Sequence, residues 1–306
     1  MSLTPATAQT LRSALATVVV VPVTPLRPDG SPDWNTYAAL TARLIDGGIT
    51  VITPNGNTGE FYALSPAEAR QAVEVAATVA KDRAELLAGV GHDIATAVEA
   101  ARHAADHGIR MVMIHQPVHP YVSAEGWVDY HAAIAGAVPD LGVVVYLRTP
   151  RISGARIAEL ADRAPNVIGV KYGVRDATAF AAVARDAGLD RFTWLAGAAE
   201  LTAPAYWAAG AHGFTSGLAN VAPEIALAML TALGENDLGA AMKVWESARR
   251  FEELRLADDS ADNVSVVKEA LAQLGLCRAD VRPPSRPLPP TIKDEITAIL
   301  AGWGMK

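Results

Sequence analysis

The feature that most constrains this chain is a rhythm. Short, β-branched apolar runs alternate with longer Ala-rich amphipathic stretches, eight times between Val18 and about residue 233. A run without a polar face needs cover on both sides, which parallel strands joined by crossover helices supply. The spacing predicts strands at Val18–Val23, Val51–Pro54, Leu86–Val90, Met111–Ile114, Val143–Leu147, Val167–Lys171, Thr193–Leu195 and His212–Thr215. Helices fall around Trp34–Asp46, Pro66–Ala80, Ile94–His107, Ala124–Val138, Gly154–Arg163, Asp176–Ala187 and Ala199–Ala209. Their ends carry local signals. Ser65-Pro66 with Glu68 offers a capping hydroxyl, a proline at the first helical position and an acid in the first turn. Gly47-Gly48, Gly108 and Gly188 supply left-handed stops. Eight such units suit a closed (β/α)8 TIM barrel better than an open doubly wound sheet of about five to seven strands. The barrel is expected over residues 1–233. A helical extension packed on it follows over 234–306, with helices at Gly239–Leu256, Val264–Leu274 and Ile292–Trp303 and a proline-rich connector at 283–290.

Composition narrows the function. A chain of 306 residues that is 51 % hydrophobic can bury one large core. Acidic residues outnumber basic ones by 33 to 26 and no basic run occurs, which argues against nucleic acid or an anionic membrane as partner. Cys277 is the single cysteine, so no disulfide forms within the chain and thiolate metal clusters are ruled out, as in a reducing cytoplasm. The longest apolar run, Ala14 to Val23, is broken by Thr17 and Pro22. It falls short of the roughly 20 residues that span a bilayer, and reads as a first buried strand.

In such barrels the residues that close the strands at their C-terminal ends carry the chemistry. Lys171 closes the apolar run Val167-Ile-Gly-Val, and if it points inward the missing side chain at Gly169 leaves room below it. A desolvated lysine loses its proton more readily and can attack a carbonyl, the protonated imine then acting as electron sink. On position alone, a rim lysine paired with a loop carboxylate is the commoner arrangement. Tyr146 closes the neighbouring strand, where its phenol can relay protons or simply cap the core. The loop Gly56-Asn57-Thr58-Gly59-Glu60 lacks the Gly-Lys-Ser/Thr ending of a nucleotide loop, but Thr58 and the amides around it suit a carboxylate, unless the loop is merely a tight turn. His103/His107 and His115/His119 have a spacing compatible with zinc, though neither pair has an evident third ligand.

Gly56-Asn57-Thr58-Gly59-Glu60, Val-Val-Tyr146, Ile-Gly-Val-Lys171 and the run Gly210-Ala-His-Gly-Phe-Thr-Ser-Gly-Leu-Ala-Asn220 together resemble the dihydrodipicolinate synthase/N-acetylneuraminate lyase family, in order from about Val20 to Pro223. The resemblance implies a (β/α)8 barrel, commonly a tetramer of paired dimers, that forms a lysine Schiff base with pyruvate or a related 2-keto acid and needs neither metal nor organic cofactor. Carried over, Lys171 is the imine-forming lysine and Tyr146 the proton relay. Thr58 with Asn57, Gly59 and the loop amides holds the keto acid's carboxylate, and Thr215 turns its backbone carbonyl toward the lysine. Asn57 stands where the family usually has a second hydroxyl. After the tyrosine, synthases usually carry Asn-x-Pro-x-Arg; here the run is Tyr146-Leu-Arg-Thr-Pro-Arg151, so Arg151 and Arg148 compete for a distal carboxylate. Val118 and His119 replace an aromatic pair. Gly59-Glu60-Phe61-Tyr62-Ala-Leu-Ser-Pro66 and Ala199-Glu-Leu-Thr-Ala-Pro-Ala-Tyr206 are similar to the 5-dehydro-4-deoxyglucarate dehydratase branch, in which the imine forms on a sugar acid that loses water and carbon dioxide. A metal-dependent aldolase and a non-catalytic keto-acid sensor are the remoter alternatives.

Overall fold

The computed structural model describes residues 2–305. Eight parallel strands follow one another in chain order around a closed barrel: β1 Val18–Val20, β2 Val51–Ile52, β3 Glu85–Val90, β4 Met111–Ile114, β5 Gly142–Leu147, β6 Val167–Tyr172, β7 Thr193–Ala196 and β8 Gly213–Ser216. The first two are shorter than the apolar runs that contain them. Pro22 cannot donate to a ladder, and Pro54 closes the second run just as early. The helices are α1 Pro5–Leu15, α2 Trp34–Asp46, α3 Pro66–Ala80, α4 Ile94–Asp106, α5 Ala124–Ala137, α6 Gly154–Arg163, α7 Ala177–Ala187, α8 Ala199–Ala208, α9 Pro223–Gly234, α10 Leu238–Ser260, α11 Asn263–Gln273 and α12 Pro290–Gly302. Among the described residues no helix is long and apolar enough to cross a membrane.

The chain divides into two compact units, one of residues up to 19 with 85–215, the other of 20–84 with 216–306. In the first unit, α1 is an element that the strand rhythm does not announce. Its signal is local: Thr4 accepts from the Thr7 amide ahead of Pro5, and Leu11 and Leu15, one turn apart, are completely buried. The two leucines cover the N-terminal ends of β5 and β6: a Cβ on Gly142 would lie 3.1 Å from Leu11, and one on Gly169 3.6 Å from Leu15. The Thr193 hydroxyl donates to the Arg12 carbonyl at 2.9 Å. Farther out, Phe180 stacks on Tyr206 at 4.6 Å and meets Trp194 edge-on at 5.6 Å, joining α7 and α8 to β7.

In the second unit α10, α11 and α12 share one core with the elements around β8. Phe251, Val266, Val267, Leu271, Ile296 and Leu300 pack with Leu218, Val221, Val23 and Leu40. The Ser65 cap forms as read: its hydroxyl accepts from the Glu68 amide at 3.3 Å, and the Glu68 carboxylate accepts from the Ser65 amide at 2.8 Å. Gly48, Gly108 and Gly188 all have positive φ at their helix ends.

His131 is a titratable group built into the first unit's core. It lies wholly buried in α5 with its Nδ1 2.7 Å from the Trp127 carbonyl and its ring 4.1 Å from the Trp127 ring. Nδ1–H donates to that carbonyl in the neutral form. Burial lowers the imidazole pKa from 6.5 to about 4, against a smaller upward pull from the Trp127 bond. Between those values the unfolded chain binds a proton that the native chain does not, so stability falls as pH drops from 6.5 to about 4 and this loss is complete below it. Urea midpoints measured against pH should show that decline, and His131→Phe should make the profile shallower across the same window; an unchanged slope would show that His131 does not contribute.

Candidate active site

The register of β5 and β6 sets the centre of the first unit. Val143 pairs with Val167, but Val144 pairs with Gly169, so Ile168 is an extra residue in β6. Without that bulge Tyr146 would stand opposite Val170. With it, Tyr146 stands opposite Lys171. Both side chains are buried, at 7 % and 4 % exposure, and the Lys171 Nζ lies 4.2 Å from the centroid of the Tyr146 ring. His115, one residue beyond β4 and fully buried, meets the tyrosine ring edge-on at 6.1 Å.

Glycines shape the surroundings, though not as the sequence suggested at one position. Gly169 leaves no open room beneath Lys171: a Cβ there would sit 3.0 Å from the Thr193 carbonyl and 3.3 Å from Val144, so the absent side chain admits close packing. Gly173 makes way for the tyrosine, since a Cβ would come within 2.9 Å of Tyr146 Cε2. Thr215, in β8, is buried, and its hydroxyl donates to the Ala196 and Gly197 carbonyls at 3.5 Å each.

Thr58 belongs to the second unit, in a single 3-10 turn of Asn57–Gly59. It is buried, while Asn57 is half-buried. The backbone there is tight: a Cβ on Gly56 would lie 2.5 Å from Val21, and one on Gly59 2.9 Å from the Pro22 carbonyl. The Thr24 hydroxyl donates to the Gly59 carbonyl at 2.8 Å. The next residue, Glu60, adopts a left-handed conformation, φ 60°, that a side chain rarely takes without support. Support comes from the C-terminal helices. Lys268 of α11, completely buried, forms an ion pair with Glu60 and donates to the Asp280 carbonyl at 2.8 Å. The Arg282 amide donates to the other Glu60 oxygen at 2.8 Å, and the Arg282 guanidinium grips Glu68 at 2.6 and 2.8 Å. That guanidinium holds the Glu68 carboxyl down at about 2. Burial pushes the Lys268 amine down, with Glu60 pulling it back.

Other candidates fall outside these clusters. Arg148 and Arg151 are exposed on the segment after β5, and the hydrogen bonds at both residues run through their backbone amides, to Gln116 at 3.0 Å and Thr149 at 3.3 Å. His119 is exposed and turned to the Tyr121 backbone at 3.1 Å, while His115 is buried against Tyr146, so the two histidines of that pair occupy different surroundings. His107, capping the C-terminal end of the outer helix α4, donates its Nδ1–H to the His103 carbonyl at 2.8 Å. Burial pushes the Cys277 thiol up to about 11, which leaves it protonated and poorly nucleophilic. Lys268, Arg282, Arg255 and Asn263 escaped the sequence reading, although a lysine in Val264-Ser-Val-Val-Lys268 on an apolar helix face is itself a signal that a buried partner exists.

A lysine and a tyrosine thus lie buried together at the ends of neighbouring barrel strands, and comparisons with known proteins identify the family that the chain descends with. The chain is similar to the dihydrodipicolinate synthase of Bacillus clausii, whose crystal structure superposes with a TM-score of 0.93 at 41 % identity, over 96 % of this chain and 99 % of that one. The chloride-inhibited dihydrodipicolinate synthase of Acinetobacter baumannii, solved with pyruvate, superposes at 0.87 with 27 % identity over 94 % and 99 %. A probable 5-dehydro-4-deoxyglucarate dehydratase of Streptomyces griseus is 32 % identical over 92 % of this chain and 90 % of its own length. The pattern described as the dihydrodipicolinate synthetase family matches residues 14–302, and the chain belongs to that family.

The buried Glu60–Lys268 pair yields a direct test. Removing one partner leaves the other charge without compensation at a site closed to water. Lys268→Met should lower the unfolding free energy by about 3–5 kcal/mol, and Glu60→Gln with Lys268→Met should lose less than the single lysine change. Guanidinium titrations of the three variants read both; a neutral Lys268→Met would overturn the assignment.

Proposed function

We propose that Lys171 attacks the carbonyl of a 2-keto acid, pyruvate or a close relative, and that the resulting imine carries the making or breaking of a bond at the adjacent carbon. The observation that carries the reading is the Lys171–Tyr146 contact, two buried groups brought opposite by a bulge in one strand. The lysine nitrogen adds to the carbonyl carbon, a hydroxyl forms and leaves as water, and the protonated imine draws electrons from the neighbouring carbon. Tyr146 is the group that passes protons to and from the departing oxygen. Thr58, with Asn57, Gly59 and the amides of their turn, takes the keto acid's carboxylate, and the Thr215 carbonyl faces the amine. No metal or organic cofactor enters this scheme. The domain division that accompanies it is a (β/α)8 barrel over 1–233 with a C-terminal helical extension over 234–306, and the working form is a cytoplasmic homo-oligomer, a dimer or tetramer.

A second reading keeps the lysine and changes the substrate: the imine forms on a sugar acid, which then loses water and carbon dioxide. Relatives carrying the dehydratase name support it.

Incubation with pyruvate or a panel of aldonate- and aldarate-derived keto acids, followed by borohydride and peptide mass spectrometry, should place a reduced adduct on Lys171. Lys171→Ala should abolish it, and Tyr146→Phe should slow turnover by about 10²-fold or more while the fold persists. No adduct from folded protein with any of these acids would overturn the Schiff-base reading. The acid that labels best and turns over distinguishes condensation or cleavage from decarboxylating dehydration.

A further inference from the structure

We infer that Asn263, held by Arg255, is the positioning residue of Thr58, keeping its hydroxyl in the orientation from which it turns to the carboxylate of a bound keto acid. The inference rests on the assignment of Thr58 to the carboxylate cradle made above. All three residues lie in the second unit, yet Asn263 is 205 residues from Thr58 along the chain.

The local backbone is unusual where these residues meet. Helical geometry in α10 is interrupted at Ala257, Asp258 and Asp259, and Asp258, Asp259 and Ser260 have φ of 48°, 54° and 71°. Three consecutive non-glycine residues in left-handed conformations are unfavourable and persist only when their surroundings impose them. On one side of the break stands Arg255, 4 % exposed, and on the other Asn263 at the start of α11. The break brings one to the other: the Arg255 Nη2 donates to the Asn263 Oδ1 at 3.2 Å.

That contact fixes the amide. A guanidinium only donates, so the Asn263 atom facing it is the oxygen, and a flip would set the amide N–H groups against the cation. Arg255 is itself buried and paired. It pairs with the fully buried Glu252, and its guanidinium lies close against Gly217, where a Cβ would fall 2.1 Å from Nη2. The same Asn263 oxygen accepts the Thr58 hydroxyl at 3.4 Å. This is a long bond to an oxygen already shared with a charged donor. It orients the hydroxyl without holding it tightly. A carboxylate is a stronger acceptor and forms a shorter, charge-assisted bond, so the hydroxyl turns from Asn263 to the ligand while its proton stays on Oγ.

The test uses the full chain and pyruvate as probe, and reads borohydride-trapped Lys171 adduct as a function of pyruvate concentration. Asn263→Leu, or the smaller Asn263→Ser should the leucine variant not fold, should raise the half-saturating pyruvate about tenfold and leave the saturated labelling yield little changed. In a Thr58→Val background, where no hydroxyl remains to orient, the same change at Asn263 should add almost nothing. A merely structural role would give additive effects and a lowered melting temperature. Labelling of Asn263→Leu and Asn263→Ser at wild-type pyruvate concentrations, or effects that add to that of Thr58→Val, would overturn the positioning role while leaving the Schiff-base reading intact. Absence of any Lys171 adduct in the wild-type chain would overturn both.

Discussion

The pairing of β5 with β6 is the constraint on which the candidate chemistry depends. Parallel strands present partners at a fixed height, and a shift of one residue changes which side chains face each other. Here the extra residue Ile168 supplies the shift that brings Lys171 opposite Tyr146. Gly169, directly after it, lets β6 approach the Thr193 carbonyl closely enough for the strand to remain in the barrel after the bulge. The amine and the ring therefore owe their contact to backbone hydrogen bonding and to one missing side chain, before any interaction of their own. Leu11 and Leu15 of α1 pack at the other end of the same strands, so the element that a strand-by-strand reading omits helps to hold the register that the site requires.

The second unit solves a different problem. Its loop around Thr58 contains tightly packed glycines and a strained glutamate, and a short turn of that kind does not hold itself. Charges taken out of water are costly unless they are paired, and the same cost makes the paired arrangement specific, because any displacement of a partner exposes it. Glu60 with Lys268, Glu68 with Arg282 and Glu252 with Arg255 apply this principle from three directions. In each pair the cation comes from the C-terminal segment beyond residue 250, which gives the extension a role beyond burying apolar surface.

The barrel, the boundaries of most of its helices and the strand-end positions of the lysine and tyrosine were legible in the sequence because each rests on local pattern, whereas α1 and α9 lie outside the strand rhythm. Period, capping residues and the polar end of an apolar run are all visible within about 15 residues. The early ends of β1 and β2 follow from Pro22 and Pro54, which cannot donate to a strand ladder. The bulge was not legible: Val167-Ile-Gly-Val reads as a uniform strand, and only the register of its neighbour reveals the extra residue. Asn263, Lys268 and Arg282 were not legible either, since their partners are more than 200 residues away and nothing nearby in sequence names them. Lys268 was the exception in kind, a charge on an apolar helix face that demanded a partner without identifying it.

Position in the fold also explains how one centre can serve relatives named for different reactions. Lys171 and Tyr146 are set by strand pairing and are buried, so changes at the surface do not reach them. Val118, His119, Arg148 and Arg151, on the segments after β4 and β5, are exposed. These residues can change without cost to the barrel. On the Schiff-base reading proposed above, imine formation needs the lysine, a proton relay and a held carboxylate. On the same reading, the fate of the imine, whether attack on a second carbonyl or loss of water and carbon dioxide, depends on what meets the far end of the substrate.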